Sequence, residues 1–408
     1  MIAAQECLDV SAAEWLAQRD SALVHLPEAV AATGPNWSLH DVQWTPGQGC
    51  RLAYQVKVDG TRTATFVAFN LDVNSWSQYD FRSDPGLPGL FAASDSALVS
   101  ERLGSVVEEP ILHCRVQPVR YRPGTRCVLR YDLRTASGAV RYYAKVFPRS
   151  VFTDAAERAT RVAAAAQPAQ LNVTRIRAVW LGLSTTVGTA VDGRSASAVM
   201  GDAQVSIHGR VDLANRLGGL LADFHTLTGV SVPVRTASDQ LGALTDLMPA
   251  VRSLDVALAD RLGTLLDRLG RHLPLGDRRD RLIHGGFRPG QVVVDDAGRL
   301  YLLDLDGVCR GDATQDLGSA SSHLSWQAIR QPSQRFELRL IDQALLAGYG
   351  SRGLAVNPAS LVWWRTAGLA QIAARRFRRL EVADWALVPR LIDLAESLLD
   401  CSQTSKTR

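Results

Sequence analysis

A chain of 408 residues with 46% apolar and 21% charged residues can bury a substantial core in two or three compact units, which excludes global disorder. Its net charge of +4 comes from Arg scattered among Asp and Glu, which is no nucleic-acid footprint, and no apolar run reaches the length of a membrane span. The six cysteines form no C-x-x-C pair and the eight histidines are dispersed, which argues for buried thiols and against a structural zinc site. Met1-Ile2-Ala3 opens no basic-then-apolar signal segment, so the expected location is the cytoplasm.

In chain order, residues 9–35 predict helix, with Ser11 as N-cap and Gly34-Pro35 as the stop. A strand-rich stretch follows, from Trp44-Thr45-Pro46-Gly47 through Cys50, Leu52 and Tyr54 to a strand over Thr63 to Asn70. The same pattern returns at Tyr121-Arg122-Pro123-Gly124, Cys127, Leu129 and Tyr131, with Pro46 and Pro123 standing 77 positions apart. Both stretches read as strand, Pro-Gly turn, strand, second turn, third strand. The matches favour a duplication over two unrelated hairpins with shared turn chemistry. Held constant, the offset carries Lys145 onto Ala68.

Beyond the second hairpin, Thr153 to Ala166 predicts a helix capped by Thr153 or Asp154, and Ala178 to Leu183 and Thr185 to Val191 predict strands. From Ser195 onward helical spacing dominates, as in Leu213, Leu217, Leu220, Leu221 and Phe224. One break, Arg281 to Leu305, carries two strand-like runs around an Asp/Gly turn. The basic run Arg375, Arg376, Arg378 and Arg379 reads as the solvated face of a late helix. The plan is two-lobed α+β, with a small strand-rich lobe before a large helical one.

The chemistry concentrates in Leu282-Ile283-His284-Gly285-Gly286-Phe287-Arg288-Pro289-Gly290-Gln291, followed by Leu303-Asp304-Leu305-Asp306-Gly307 and Gly311-Asp312-Ala313-Thr314-Gln315-Asp316-Leu317. This order resembles the signature of the aminoglycoside phosphotransferases and choline kinases, in which H-G-D-x-x-x-x-N precedes a hairpin, I-D and G-D-x-x-x-D-L. Leu220-Leu221-Ala222-Asp223-Phe224-His225 is similar to the family's L-A-x-L-H helix, and Val191-Asp192-Gly193-Arg194-Ser195 to its hinge. The resemblance runs over roughly residues 115–380 and implies a kinase-like fold. Residues 113–194 would form the small lobe. Residues 195–408 would form the large lobe, with its catalytic-loop segment at 281–317. Residues 1–112 would be an extra α+β unit resembling a degenerate small lobe.

Phosphoryl transfer is catalysed mainly by positioning and charge neutralisation. Carried over by position, the resemblance implies that Lys145 is the strand lysine on the phosphates, that Glu157 is its helix partner, and that Asp304 and Gln291 bind Mg²⁺. Gln291 stands where the family usually has Asn; both offer an amide oxygen. Thr125 of the Pro123-Gly124-Thr125 turn, with Thr189 and Val191 near the hinge, falls at nucleotide-contacting positions for ATP or GTP. His284 is expected to be a structural hydrogen-bonder and His225 a core residue. Asp312 and Asp316 are expected to hold the loop by capping and Arg pairing.

Gly286 is the severe departure. It occupies the catalytic aspartate's position and can neither accept a proton nor orient a hydroxyl, a loss typically worth ~10²–10⁴ in rate. Asp306 is the candidate substitute base, and Arg288 adds a positive charge where many relatives have His. Three readings stay open. One is phosphotransfer to a small hydroxylated molecule or a peptide, with an altered base. Another is a non-catalytic pseudokinase that binds a protein partner through the lysine-free N-terminal copy. The third is a different activity grown on the same fold.

Overall fold

The computed structural model describes residues 10–57, 64–274, 280–378 and 382–404; Cys7, Thr63 and Arg379 lie outside them. A β-rich N-terminal region is followed by a helical C-terminal one. The chain divides into two compact units, Met1–Ala156 with Arg175–Ala190 and Phe377–Ala383, and Glu157–Thr174 with Val191–Arg376 and Asp384–Arg408.

In the first unit, helices α1 (Val10–Ala17) and α2 (Leu26–Ala31) replace the single helix expected over 9–35. Asp20 breaks it. Its carboxylate accepts the Ala22 N–H at 3.0 Å and the Trp44 indole N–H at 2.7 Å, which turns the chain between the helices. Strands β1 (Trp37–Thr45), β2 (Gly49–Lys57), β3 (Ala64–Leu71) and β4 (Trp76–Asp80) then form an antiparallel sheet in that order. Two helices follow, α3 (Leu90–Ala93) and α4 (Ser96–Val107), the second capped by the Asp95 carboxylate.

A second antiparallel sheet contains β5 (Ile111–Arg122), β6 (Arg126–Thr135), β7 (Ala139–Val146), β8 (Ile176–Trp180) and β9 (Thr185–Thr189), in the order β5-β6-β7-β9-β8. Between β7 and β8 lies helix α5 (Arg149–Ala166), which starts four residues before the expected Thr153. Strand β8 stops at Trp180, because Leu181–Leu183 form a short 3₁₀ turn where strand was expected.

The two sheets repeat each other in register at their first hairpins. Trp44 pairs with Cys50 and Leu39 with Tyr54, as Tyr121 pairs with Cys127 and Val116 with Tyr131. All four positions keep the 77-residue spacing. Past the second turn the spacing changes, because six residues (58–63) separate β2 from β3 and only four (135–138) separate the paired ends of β6 and β7. Arg51 pairs with Asn70 as Val128 pairs with Lys145, so the counterpart of Lys145 is Asn70 rather than Ala68. Parity is kept, and the lysine is absent at either position. Beyond the third strand the repeat ends, since β3 turns directly into β4 with no helix corresponding to α5.

One core joins the two sheets of this unit. Phe66, Ala68, Phe81, Leu87 and Leu90 pack with Tyr121, Cys127, Leu129, Tyr131 and Val187, so residues before and after 112 share their hydrophobic interior.

In the second unit, β10 (Arg194–Ser195) leads into α6 (Ala196–Met200), α7 (Ile207–His225), α8 (Ala237–Thr245), α9 (Met248–Leu254) and α10 (Val256–Arg271). Short strands β11 (Arg281–Ile283), β12 (Val292–Val294), β13 (Leu300–Leu302) and β14 (Cys309–Gly311) build the break, with β10-β12-β13 and β11-β14 as two small sheets. Helices α11 (Thr314–Arg330), α12 (Arg335–Gly350), α13 (Pro358–Arg378), α14 (Val382–Trp385) and α15 (Val388–Thr404) follow, with Phe377–Ala383 falling to the first unit. Glycines allow the helix backbones to touch. A Cβ at Gly218 of α7 would overlap the Leu345 carbonyl of α12, and one at Gly318 of α11 would stand 2.6 Å from the Trp364 Cβ of α13.

Candidate active site

The loop between β11 and β12 is organised by one buried carboxylate. Asp316, in the first turn of α11, has no exposed surface, and its oxygens accept the backbone N–H groups of His284 (2.6 Å), Gly286 (3.0 Å) and Phe287 (3.2 Å). The Nε2 of His225, at the end of α7, reaches the same carboxylate at 3.1 Å, and its Nδ1 meets the Tyr349 hydroxyl of α12 at 3.0 Å. Three helices thus fix the loop. Burial pushes the Asp316 carboxyl up, but the His225 hydrogen bond, the His225 and His284 charges and the Phe287 N–H outweigh it, so it lies below the usual carboxylate value. The partners are backbone amides and a histidine; the expected Arg pairing is not what holds this loop. Asp312, one residue ahead of the N-cap position Ala313, accepts the Thr314 N–H at 2.8 Å together with the Trp364 indole N–H at 3.0 Å.

His284 is the structural hydrogen-bonder expected of it, its Nε2 donating to the Leu303 carbonyl at 2.9 Å, and His225 is buried. Gly285 has φ of 79°, and a Cβ there would stand 2.6 Å from the Gly307 carbonyl oxygen, so this position needs glycine. Arg235 donates to the Gly285 carbonyl at 2.8 Å and braces the loop from its other side. Gly286 differs from its neighbour. A Cβ built on it meets nothing within 4 Å, although its φ of 159° is one that L side chains rarely adopt. The loop is held in shape around a position that has room for a side chain and none to fill it.

Gln291 and Asp304 are brought together. The Gln291 amide nitrogen donates to the Asp304 carboxylate at 3.3 Å, and its oxygen accepts the Arg288 N–H at 3.0 Å. Each partner permits only one orientation of the amide, since a carboxylate needs a donor and an N–H needs an acceptor. Asp304 adopts the left-handed conformation, φ 66° and ψ 49°, two residues past the end of β13. Such backbone in a non-glycine residue costs of order 1 kcal/mol and concentrates at functional sites. Asp306 falls in the short 3₁₀ turn Leu305–Gly307, so the two aspartates do not share a strand face.

Magnesium in phosphotransfer sites usually takes one or two protein carboxylates plus phosphate oxygens and water. The donor set fits that pattern through Asp304, with Gln291 orienting the carboxylate through its NH₂ group. Among the described residues, no group of three or more His, Cys, Asp or Glu forms a separate metal site.

Lys145 sits half-buried on β7, paired in register with Val128 of β6 and Thr186 of β9. Glu157 is exposed on α5 and forms an i,i+4 ion pair with Arg161 at 2.7 Å, a contact worth little on a solvated face. Thr189 ends β9 opposite Tyr142, its N–H donating to the Arg175 carbonyl at 3.0 Å, and Val191 is half-buried in the segment that follows. The Thr125 hydroxyl donates to Gln43 Oε1 at 3.1 Å and to the Pro123 carbonyl at 3.3 Å. Gln43, Asp84 and Arg235 escaped sequence reasoning because each meets its partner across 40 or more residues with no motif to signal it.

The family model described as "Phosphotransferase enzyme family" matches residues 127–356. Among solved structures, a spectinomycin phosphotransferase in complex with ADP and spectinomycin aligns with TM-score 0.50 and 12% identity, over 74% of this chain and 98% of its own. The apo form of a thermostable mutant of an aminoglycoside phosphotransferase aligns with TM-score 0.50 and 11% identity, over 74% and 99%. A choline kinase from Streptococcus pneumoniae aligns at 12% identity and TM-score 0.47, over 75% and 98%. At these identities the likeness is one of fold. No curated protein matches the sequence.

Proposed function

The chain belongs to the phosphotransferase enzyme family, and from that premise we propose that it binds an adenine nucleotide with Mg²⁺ and transfers phosphate to a small hydroxylated molecule only slowly, because its base position is vacant. The observation that carries this reading is the Asp316-centred loop, fully hydrogen-bonded around Gly286, where a Cβ has open space. The solved neighbour that holds ADP supports the choice of adenine nucleotide.

Each residue then has a task. Lys145 places its charge on the phosphates, and Asp304 holds the metal with Gln291 fixing its orientation. When bound, Mg²⁺ would neutralise charge building on the transferred phosphoryl group. Backbone at Gly286 leaves the acceptor hydroxyl without a carboxylate to receive its proton, so the proton leaves to water and the rate suffers by about the 10²–10⁴ of a missing base.

Thermal unfolding with ATP and Mg²⁺ tests the binding half. A ligand specific for the folded state at a hundredfold excess over Kd adds about 2.7 kcal/mol. Lys145→Ala removes most of that shift, and EDTA removes the metal-dependent part. Absence of any shift with millimolar nucleotide would end the reading. Binding without measurable phosphate release, even in Gly286→Asp, would make the chain a non-catalytic nucleotide-binding member of the family.

A further inference from the structure

The Pro123-Gly124-Thr125 turn stands, by position, where this fold covers nucleotide phosphates with backbone N–H and hydroxyl donors. Here those donors are already taken. The Gly124 N–H donates to Asp84 Oδ2 at 2.7 Å, the Thr125 N–H to the Arg122 carbonyl at 3.0 Å, and the Thr125 hydroxyl to Gln43 Oε1 at 3.1 Å. Gln43 grips the turn at a second point, its amide NH₂ donating to the Pro123 carbonyl at 3.0 Å. Both gripping residues precede the kinase-like segment, Gln43 on β1 and Asp84 just past β4.

Asp84 is built in for this contact. It is buried, and its second oxygen accepts the Gly86 N–H at 2.7 Å, which curls residues 84–86 against the turn. Tyr121 donates its hydroxyl to Asp84 Oδ2 at 2.7 Å, and burial together with the Asp84 charge keeps that phenol protonated. The backbones approach so closely that a Cβ on Gly86 would lie 2.6 Å from the Gly124 Cα. Gly124 itself has φ of 65°, and a Cβ there would run into the Arg51 guanidinium. A phosphate oxygen seeking the Gly124 N–H would therefore have to displace a buried carboxylate of its own charge sign.

We infer that Asp84 and Gln43 are specificity-determining residues that withhold the Pro123–Thr125 turn from the nucleotide's outer phosphates, leaving adenosine and the first phosphate to other contacts. The inference rests on the nucleotide-binding reading above. It gives residues 10–107 a role in the site's chemistry through contacts made inside one compact unit.

The experiment is calorimetric titration of the full chain with ATP and with AMP, each with Mg²⁺, for wild type, Asp84→Asn and Gln43→Ala. Asp84→Asn removes the charge, and its single amide oxygen cannot hold the Gly86 N–H and both Oδ2 donors at once. Gln43→Ala is the milder variant, at a half-buried position, for the case in which Asp84→Asn does not fold. A freed hydrogen-bond donor is expected to tighten ATP about tenfold in Asp84→Asn and about threefold in Gln43→Ala, with AMP affinity unchanged. A generally loosened fold would weaken both nucleotides together. AMP binding with an ATP-to-AMP ratio unmoved in every folded variant overturns the inference alone. If no form binds AMP or ATP, the nucleotide-binding reading fails and takes the inference with it.

Discussion

Replacing Asp316 with alanine should be among the most destabilising single changes in the second unit. The substitution strands the N–H groups of His284, Gly286 and Phe287 and the facing nitrogen of His225, all around a residue with no exposed surface. An unsatisfied buried donor costs about 1–3 kcal/mol. Four of them, partly relieved by a water entering the vacated space, come to roughly 4–6 kcal/mol. That is comparable to the whole stability of an ordinary domain, about 5–15 kcal/mol. Asp316→Asn keeps the shape and one acceptor oxygen but loses the charge and turns an NH₂ group toward a donor, so about 2–3 kcal/mol is expected. Urea denaturation followed by fluorescence reads both, as a fall in midpoint at constant slope. The carboxyl is held below its unfolded value near 3.8, so its contribution is complete above that pH and disappears as pH falls through the folded value. The difference between wild type and Asp316→Asn should therefore be full at pH 7 and shrink in acid. An Asp316→Asn protein within 0.5 kcal/mol of wild type at pH 7, by the usual spread of harmless substitutions (about ±0.5 kcal/mol), would refute the hub.

Gly218→Ala should destabilise by about 3 kcal/mol, since its methyl overlaps the Leu345 carbonyl and helices α7 and α12 must separate; a change under 0.5 kcal/mol (about the surface-substitution range) in the same urea assay would deny that contact. His323 is pushed down to about 4 by burial and by the charges of Arg288, Arg375 and Arg376. Between about pH 6.5 and that value the unfolded chain binds a proton that folded His323 refuses, so stability should fall as the pH drops through this window. His323→Gln should flatten that slope, and an unchanged slope would show that the histidine is not the group responsible.

Much of the site was legible because its residues lie close in sequence. His284 through Gln291 and Asp304 through Asp316 keep a fixed order, and their local bonds, such as Gln291 to Arg288 and Asp312 to Thr314, span few residues. The first hairpins of the two sheets were legible for the same reason, as a Pro-Gly turn fixes the register on either side of it. Long-range bonds were not. Nothing near Asp84 indicates that Gly124, 40 residues on, will donate to it. The constant offset failed at Ala68 because turn length is read only once strands are paired, and 58–63 is two residues longer than 135–138. The helix over 9–35 broke because Asp20 found Trp44, a tertiary partner that overrides local propensity. The sequence marks Asp316 as a loop holder but not its partners, since backbone amides carry no side-chain signature.

In the function proposed above, the loop around Gly286 lacks only its base. Gly286→Asp puts a carboxylate into space that the structure leaves open, but at a φ of 159° that L side chains rarely adopt, so a loss of stability is expected and a melting curve is taken first. Phosphate release from ATP with Mg²⁺ is then measured for wild type, Gly286→Asp and Asp306→Asn. Slow wild-type release is expected, with a rise of ~10² or more in Gly286→Asp, the size of a restored general base, and little change in Asp306→Asn. A fast wild-type enzyme that Asp306→Asn silences would place the base at Asp306. A fast wild type indifferent to Asp306→Asn and not improved by Gly286→Asp would contradict the account outright.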